Sequence, residues 1–172
     1  MPTRSALTRI LLKTSIIVFL GSAIGLLFNV FSPGGITLKG SWSNKITSDS
    51  VVVPYSYKEG SDPPAISLDY AQMKFQSAKT VFLDARLSAD FKEGHIQGAI
   101  NLPHEEFEQH ASLVLPKIST TGEIITYCDG TECEASLLLA RELQELGYKN
   151  IKIFFGGWAE WQGAGLAIGT GE

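Results

Sequence analysis

The chain has 172 residues, 44% of them hydrophobic and 10% aromatic, and carries 14 Lys+Arg against 18 Asp+Glu for a formal net charge of −4. That composition can fill a packed core and excludes wholesale disorder, and the length fits one domain with accessory segments. The charge is uneven: residues 1–31 hold Arg4, Arg9 and Lys13 with no acid, whereas from Ile66 onward 15 Asp+Glu face 8 Lys+Arg, so the acidic part lacks the clustered cations that nucleic-acid binding requires.

Behind that basic head, residues 14–31 are uncharged and Pro33 follows shortly after. Eighteen such residues approach the lower limit for a membrane-spanning helix. A cleaved signal peptide has a similar head and apolar run but needs a small-x-small site just past it. Leu26 to Phe31 is bulky there and Gly21-x-Ala23 falls too early. Residues 1–31 are therefore read as a basic head and an uncleaved single-pass anchor. The head stays in the cytoplasm by the positive-inside rule and the C-terminal domain lies outside it, in the periplasm if the cell is bacterial. Residues 32–65, rich in Ser, Gly, Pro and Lys, read as a flexible tether. Within it Val51 to Val53 could form a short strand, and Trp42 and Tyr55 could dock on the membrane surface or the domain.

From Ile66 to the end the pattern alternates between short apolar strands and helices. A strand-like piece at Ile66 to Leu68 precedes a helix from Asp69 to Ser77, with Asp69 as its expected N-cap. Val81 to Leu83 reads as a buried strand, Ser88 to Lys92 as a short helix, Ala99 to Leu102 as a strand and Glu105 to Leu115 as a helix. Ile124 to Tyr127 is the central strand, Glu134 to Leu146 the longest helix, Ile151 to Phe155 the last strand and Trp158 to Gln162 a closing helical turn. The glycine-rich tail from Gly163 to Gly169 follows no strand and opens no helix, so it reads as a terminal loop rather than a phosphate loop. This order predicts an α/β domain, residues 66–172, with a central, mostly parallel sheet flanked by helices on both faces. Ligands of such sheets bind beyond the carboxyl ends of the strands.

Both cysteines stand at such an end, in Cys128-Asp129-Gly130-Thr131-Glu132-Cys133. A cysteine between a strand end and a helix start faces unpaired amides and the positive end of the helix dipole, which favour the thiolate nucleophile. The bland alternative is a pair of small buried residues in a helix-capping loop. Two cysteines are too few for a disulfide framework, and adding His95 and His104 fits no zinc spacing, so no metal or other cofactor is expected. The loop holds no Arg or Lys, so a bound anion would depend on backbone amides.

Leu83-Asp84-Ala85-Arg86, followed by Phe91-Lys92-Glu93-Gly94-His95-Ile96-Gln97-Gly98-Ala99-Ile100-Asn101-Leu102-Pro103, resembles the N-terminal signature of rhodanese domains. The cysteine loop and Phe155-Gly156-Gly157-Trp158 stand in the matching order, and the resemblance covers residues 66–172. It implies a sulfurtransferase in which Cys128 accepts a sulfane sulfur as a persulfide, cradled by the backbone of Asp129, Gly130, Thr131, Glu132 and Cys133. Asp84 and Arg86 match a structural ion pair near the loop. His95 is expected to hydrogen-bond backbone rather than move protons, Gly94 and Gly98 to occupy turns of positive φ, and Trp158 to lie in the core.

The loop departs from the family pattern in its charges and in Cys133. Asp129, Glu132 and Glu134 would repel dianionic thiosulfate, so a neutral or polysulfidic small donor or a protein persulfide fits better, with a thiol as acceptor or reductant. The absent loop arginine excludes a cysteine phosphatase, which grips phosphoryl oxygens with that residue. Cys133 is a candidate resolving thiol. Thiol–disulfide exchange by Cys128 and Cys133 stays open, as does a catalytically weak binding module of rhodanese shape held at the membrane.

Overall fold

The computed structural model describes residues 4–31, 45–46, 51–77, 79–130 and 133–171, with side chains described for 12–25, 27–28, 51–77, 79–130 and 133–171. The chain divides into two units, Met1–Ser41 and Trp42–Glu172. The first contains α1 (Arg4–Phe31). The apolar run is helical, as a span would be, and among the described residues no helix is long and apolar enough to cross a membrane.

The second unit opens with a two-residue antiparallel pair, β1 (Lys45–Ile46) and β2 (Val52–Val53). There follow α2 (Leu68–Ser77), β3 (Val81–Asp84), α3 (Ser88–Glu93), β4 (His95–Ile96), β5 (Ile100–Asn101), α4 (Phe107–Val114), β6 (Ile124–Tyr127), α5 (Ala135–Glu145), β7 (Ile151–Phe154), α6 (Gly157–Gly163) and β8 (Ile168–Gly169). The main sheet has the order β5-β3-β6-β7, and all its pairs are parallel. Its central strand β6 is buried at every position, as a strand covered on both faces must be.

Two apolar clusters sandwich this sheet. One joins Leu83, Ile124, Leu137, Leu139, Leu143, Ile153 and Phe155 beneath α5; the other joins Phe82, Ile125, Tyr127, Phe154 and Trp161 beneath α2 and α6. Alternate residues of β6 enter opposite clusters, which is the period-two signature of a strand. Helix α5 buries Ser136, Leu137, Leu139, Ala140 and Leu143, an i, i+3, i+4 pattern that lays one face on the sheet.

Three local expectations change. The segment expected to be a free tether packs against the domain over its last part: Val53, Tyr57 and Ala65 are buried, and Ala65 extends the sheet by a parallel bridge to Ile153. Asp62 holds Arg141 of α5 at 2.8 Å. Pro and Gly in this stretch shape turns between anchoring side chains rather than leaving it loose. Helix α2 begins one residue earlier than expected, and Ser67 Oγ, not Asp69, accepts the Tyr70 N–H at 3.3 Å, so serine caps the end. The glycine-rich tail supplies β8, antiparallel to β4, and the Trp161 indole N–H donates to the Ala167 carbonyl at 2.9 Å. That bond satisfies a polar atom on a fully buried ring.

Candidate active site

The parallel register fixes where the site lies. Asp84 ends β3 beside Tyr127, which ends β6, so the next residues, Ala85-Arg86 and Cys128-Asp129, emerge together at the carboxyl edge of the sheet. Cys128 is fully buried and Cys133 is half-buried, and the two are joined by a disulfide with Cα atoms 6.3 Å apart. The helix that follows has no side-chain N-cap, so its first amides remain available near the loop.

Cys128 Sγ is the atom about which the sequence places an amide cradle. Its described neighbours are the Cys133 carbonyl oxygen at 3.1 Å, the Gly130 carbonyl oxygen at 3.9 Å and Ser136 Oγ at 3.4 Å. The Cys133 amide donates instead to the Gly130 carbonyl at 2.9 Å. The Cys133 and Gly130 carbonyl oxygens are thus the described backbone acceptors around the sulfur. Thr131 and Glu132 of the expected cradle lie outside the described residues. Ser136, absent from the sequence reading, is the hydroxyl that can donate to a released thiolate. Its signal was its place in the first turn of α5, on the face turned toward the sheet.

Gly157 determines how the loop is held. Its φ of +57° is left-handed, and an added Cβ would collide with the Cys128 carbonyl oxygen and come within 3.0 Å of Asp129 backbone. This close approach lets the amides of Trp158 and Ala159 donate to the carbonyls of Cys128 and Asp129, both at 2.8 Å. Gly157→Ala is expected to lower stability by about 1–3 kcal/mol through strain and loss of these bonds, read by urea unfolding. An unchanged midpoint would contradict this role for Gly157.

Asp84 and Arg86 meet as a fully engaged pair. Arg86 Nη2 lies 2.6 Å from Asp84 Oδ2, Nε lies 3.0 Å from Oδ1, and Nη2 also donates to the Gly94 carbonyl at 2.7 Å. Burial opposes the guanidinium charge, but the hydrogen bonds and charge of Asp84 outweigh it and raise the pKa of Arg86 further. Burial, with the neighbouring Asp84 charge, pushes the Tyr127 phenol far above its ordinary range, so Tyr127 is a neutral donor and acceptor, receiving the Ile96 N–H at 3.2 Å. The guanidinium lies 5.1 Å from the Trp158 ring and 4.0 Å from the Asp129 carboxylate. Trp158 is thus half-buried, packed against the second apolar cluster and bordering the site. Gly94 has extended backbone (φ 176°) rather than positive φ. It is required because a Cβ would come within 2.7 Å of the Trp158 ring, whereas Gly98 does have φ +77°.

His95 stands apart from the sulfur chemistry. Its Nδ1 is 2.8 Å from the Phe91 carbonyl oxygen, and its ring stacks on Phe91 at 3.8 Å. His104 sits 3.3 Å from Glu142. Among the described residues no group of three or more His, Cys, Asp or Glu could hold a metal ion.

A cleft of about 610 Å³ opens over the loop, lined by Arg86, Asp90, Glu93, Glu105, Asp129, Cys133 and Trp158, among others. Four carboxylates face one cation already bound to Asp84. Cys133, not Cys128, is the sulfur residue on its wall. A larger cleft of about 740 Å³, between residues 57–65 and the segment after α5, contains no cysteine or histidine.

Fold and site together define an α/β domain with a reactive-cysteine loop at the carboxyl edge of a parallel sheet. The chain belongs to the Rhodanese-like domain family, whose profile matches residues 67–164. It is 32% identical over 91 residues to a mitochondrial protein of Schizosaccharomyces pombe provisionally named a thiosulfate sulfurtransferase, covering 48% of this chain and 63% of that one. It is 28% identical over 112 residues to an HTH-type transcriptional regulator of Mycobacterium tuberculosis, covering 65% of this chain and 47% of that one. The chain therefore spans about half to under two thirds of the length of these relatives. The BH2092 protein from Bacillus halodurans superposes with a TM-score of 0.52 at 25% identity, covering 64% of this chain and 77% of that chain. The domain is thus a rhodanese-like fold with sulfurtransferase homologues.

Proposed function

We propose that the domain is a sulfurtransferase whose acceptor is the reduced Cys128 thiolate. The observation that carries this reading is the position of Cys128: it follows the central strand directly, precedes the uncapped start of α5 and has the Ser136 hydroxyl 3.4 Å from its sulfur. Cys128–S⁻ attacks the outer sulfur of a persulfide donor R–S–SH, forming Cys128–S–SH and releasing RS⁻. An acceptor thiolate then takes that outer sulfur and returns Cys128–S⁻. The acidic cleft disfavours thiosulfate and favours donors that are not dianions, such as an uncharged organic polysulfide or a persulfide carried on a protein. Asp84, Arg86 and His95 support the loop and its neighbours without touching the reacting sulfur.

The Cys128–Cys133 disulfide favours a second step at the same site. Cys133–S⁻ attacks the inner sulfur of Cys128–S–SH, releasing HS⁻ and closing the disulfide, which a thiol must then reopen. The same pair without a sulfur donor is a thiol–disulfide exchange centre. Intact mass of the reduced full-length chain after exposure to polysulfide separates these readings. Sulfur transfer predicts a gain of about 32 Da, one sulfur atom, mapped to Cys128 and best retained in Cys133→Ser. No adduct in either protein would sink it and leave exchange.

The placement of the domain outside the cytoplasm is a further part of this reading. It rests on the three cations preceding the uncharged residues 14–31 and on the disulfide, which oxidising compartments sustain. A membrane-impermeant maleimide should label the reduced cysteines in intact cells. Labelling that requires cell lysis would place the domain inside.

A further inference from the structure

Which thiol reopens the disulfide, and at which sulfur, follows from the two faces of the loop. We propose that the Cys128–Cys133 bond is opened at Cys133 Sγ by a positively charged thiol entering the acidic cleft, with Cys128–S⁻ as the leaving group. This names the reductant of the site proposed above and rests on that reading for its biological purpose. The chemistry itself can be tested with no sulfur donor present.

Accessibility decides the point of attack. A thiolate must approach one sulfur in line with the S–S bond. Cys128 has no exposed surface, being enclosed beneath the loop with Ser136 and the Gly130 and Cys133 carbonyls around its sulfur. Cys133 is only half-buried and lines the cleft. The incoming sulfur therefore bonds to Cys133, and the electron pair of the broken bond leaves on Cys128. The leaving thiolate is received by the Ser136 hydroxyl and the dipole end of α5. A second thiol attacks the incoming sulfur, releases RS–SR and leaves Cys133–S⁻. Two thiols are oxidised and the protein gains two electrons. The product is the form of Cys128 that accepts sulfur. The usual assignment is thereby reversed for this step: the sulfur acceptor is the leaving group, and the second cysteine is the entry point.

Charge decides the class of thiol. Asp90, Glu93, Glu105 and Asp129 border the approach to Cys133, all four exposed, and Asp129 is 73% exposed at its side chain. Arg86, on the same wall, is bidentate to buried Asp84 and offers little net positive charge to a ligand. A cleft lined by one sign of charge concentrates the opposite sign, with salt-dependent gains of tenfold or more in encounter rate. The fitting reductant is a small aminothiol, or a dithiol protein that presents its reactive cysteine among lysines and arginines.

The test uses the oxidised full-length wild-type chain and two thiols of opposite charge, cysteamine and 2-mercaptoethanesulfonate, with rates referred to the thiolate concentration of each. The expected cysteamine preference is about tenfold at low ionic strength, falling toward unity in 1 M salt. It should shrink in Asp90→Asn/Glu93→Gln. Acid quenching, alkylation and peptide mapping should place the cysteamine mixed disulfide on Cys133 and the alkyl group on Cys128. A preference below about threefold at low salt, or a mixed disulfide on Cys128, would overturn the inference. Neither result depends on persulfide formation, so the sulfurtransferase reading stands or falls separately.

Discussion

Cys128→Ser is expected to reduce sulfur transfer from a polysulfide to a thiol acceptor by about 10³-fold or more, to the uncatalysed rate. The hydroxyl of serine is a far weaker nucleophile than a thiolate and forms no persulfide. The substitution is nearly isosteric at a fully buried site, so the fold should survive and unfolding by urea, compared in reduced proteins, should show it. Cys133→Ser should behave in the opposite way. It cannot form the disulfide, so Cys128 remains competent without reductant, and transfer in air should exceed that of the untreated wild type. If Cys133→Ser lost transfer as completely as Cys128→Ser, the second cysteine would be part of the transfer step rather than its gate.

Arg86→Ala is expected to destabilise the domain by about 3–5 kcal/mol. Asp84 is wholly buried, and its carboxylate depends on the guanidinium for three of its described contacts. Removing Arg86 also leaves the Gly94 carbonyl without its 2.7 Å donor and uncovers the Trp158 ring. Removing both charges should cost less than the sum of the single changes, because no unpaired charge then remains buried. The double variant Asp84→Asn/Arg86→Gln measures that coupling by urea unfolding. Additive losses would show that the pair contributes nothing beyond two independent side chains.

The sequence made the sheet and the cysteine position legible because both rest on local signals. Ile124 to Tyr127 is an apolar run of strand length, and the period of α5 is plain from Leu137, Leu139, Ala140 and Leu143. Register then brings Asp84 beside Tyr127 and so Arg86 beside the loop, a consequence of parallel pairing that no short motif states. What stayed hidden depends on contacts between distant residues. Residues 51–65 look like a linker by composition, yet Val53, Tyr57 and Ala65 are buried by the domain they precede. Gly94 looks like a turn residue, but its need is set by Trp158, more than sixty positions away. The acidic cleft gathers Asp90 and Glu93 of α3, Glu105 and Asp129 from three separate stretches. In the sequence only Asp129 of these four bears on the site, as a loop charge that repels thiosulfate.

The central claim is that Cys128 accepts sulfur only once its bond to Cys133 is open. Intact mass of the full-length wild-type chain tests it directly, in parallel oxidised and reduced samples exposed to the same polysulfide. The oxidised sample should gain no sulfur, and the reduced sample should gain about 32 Da located on Cys128. Equal loading of both samples, or an adduct that persists in Cys128→Ser, would contradict the claim.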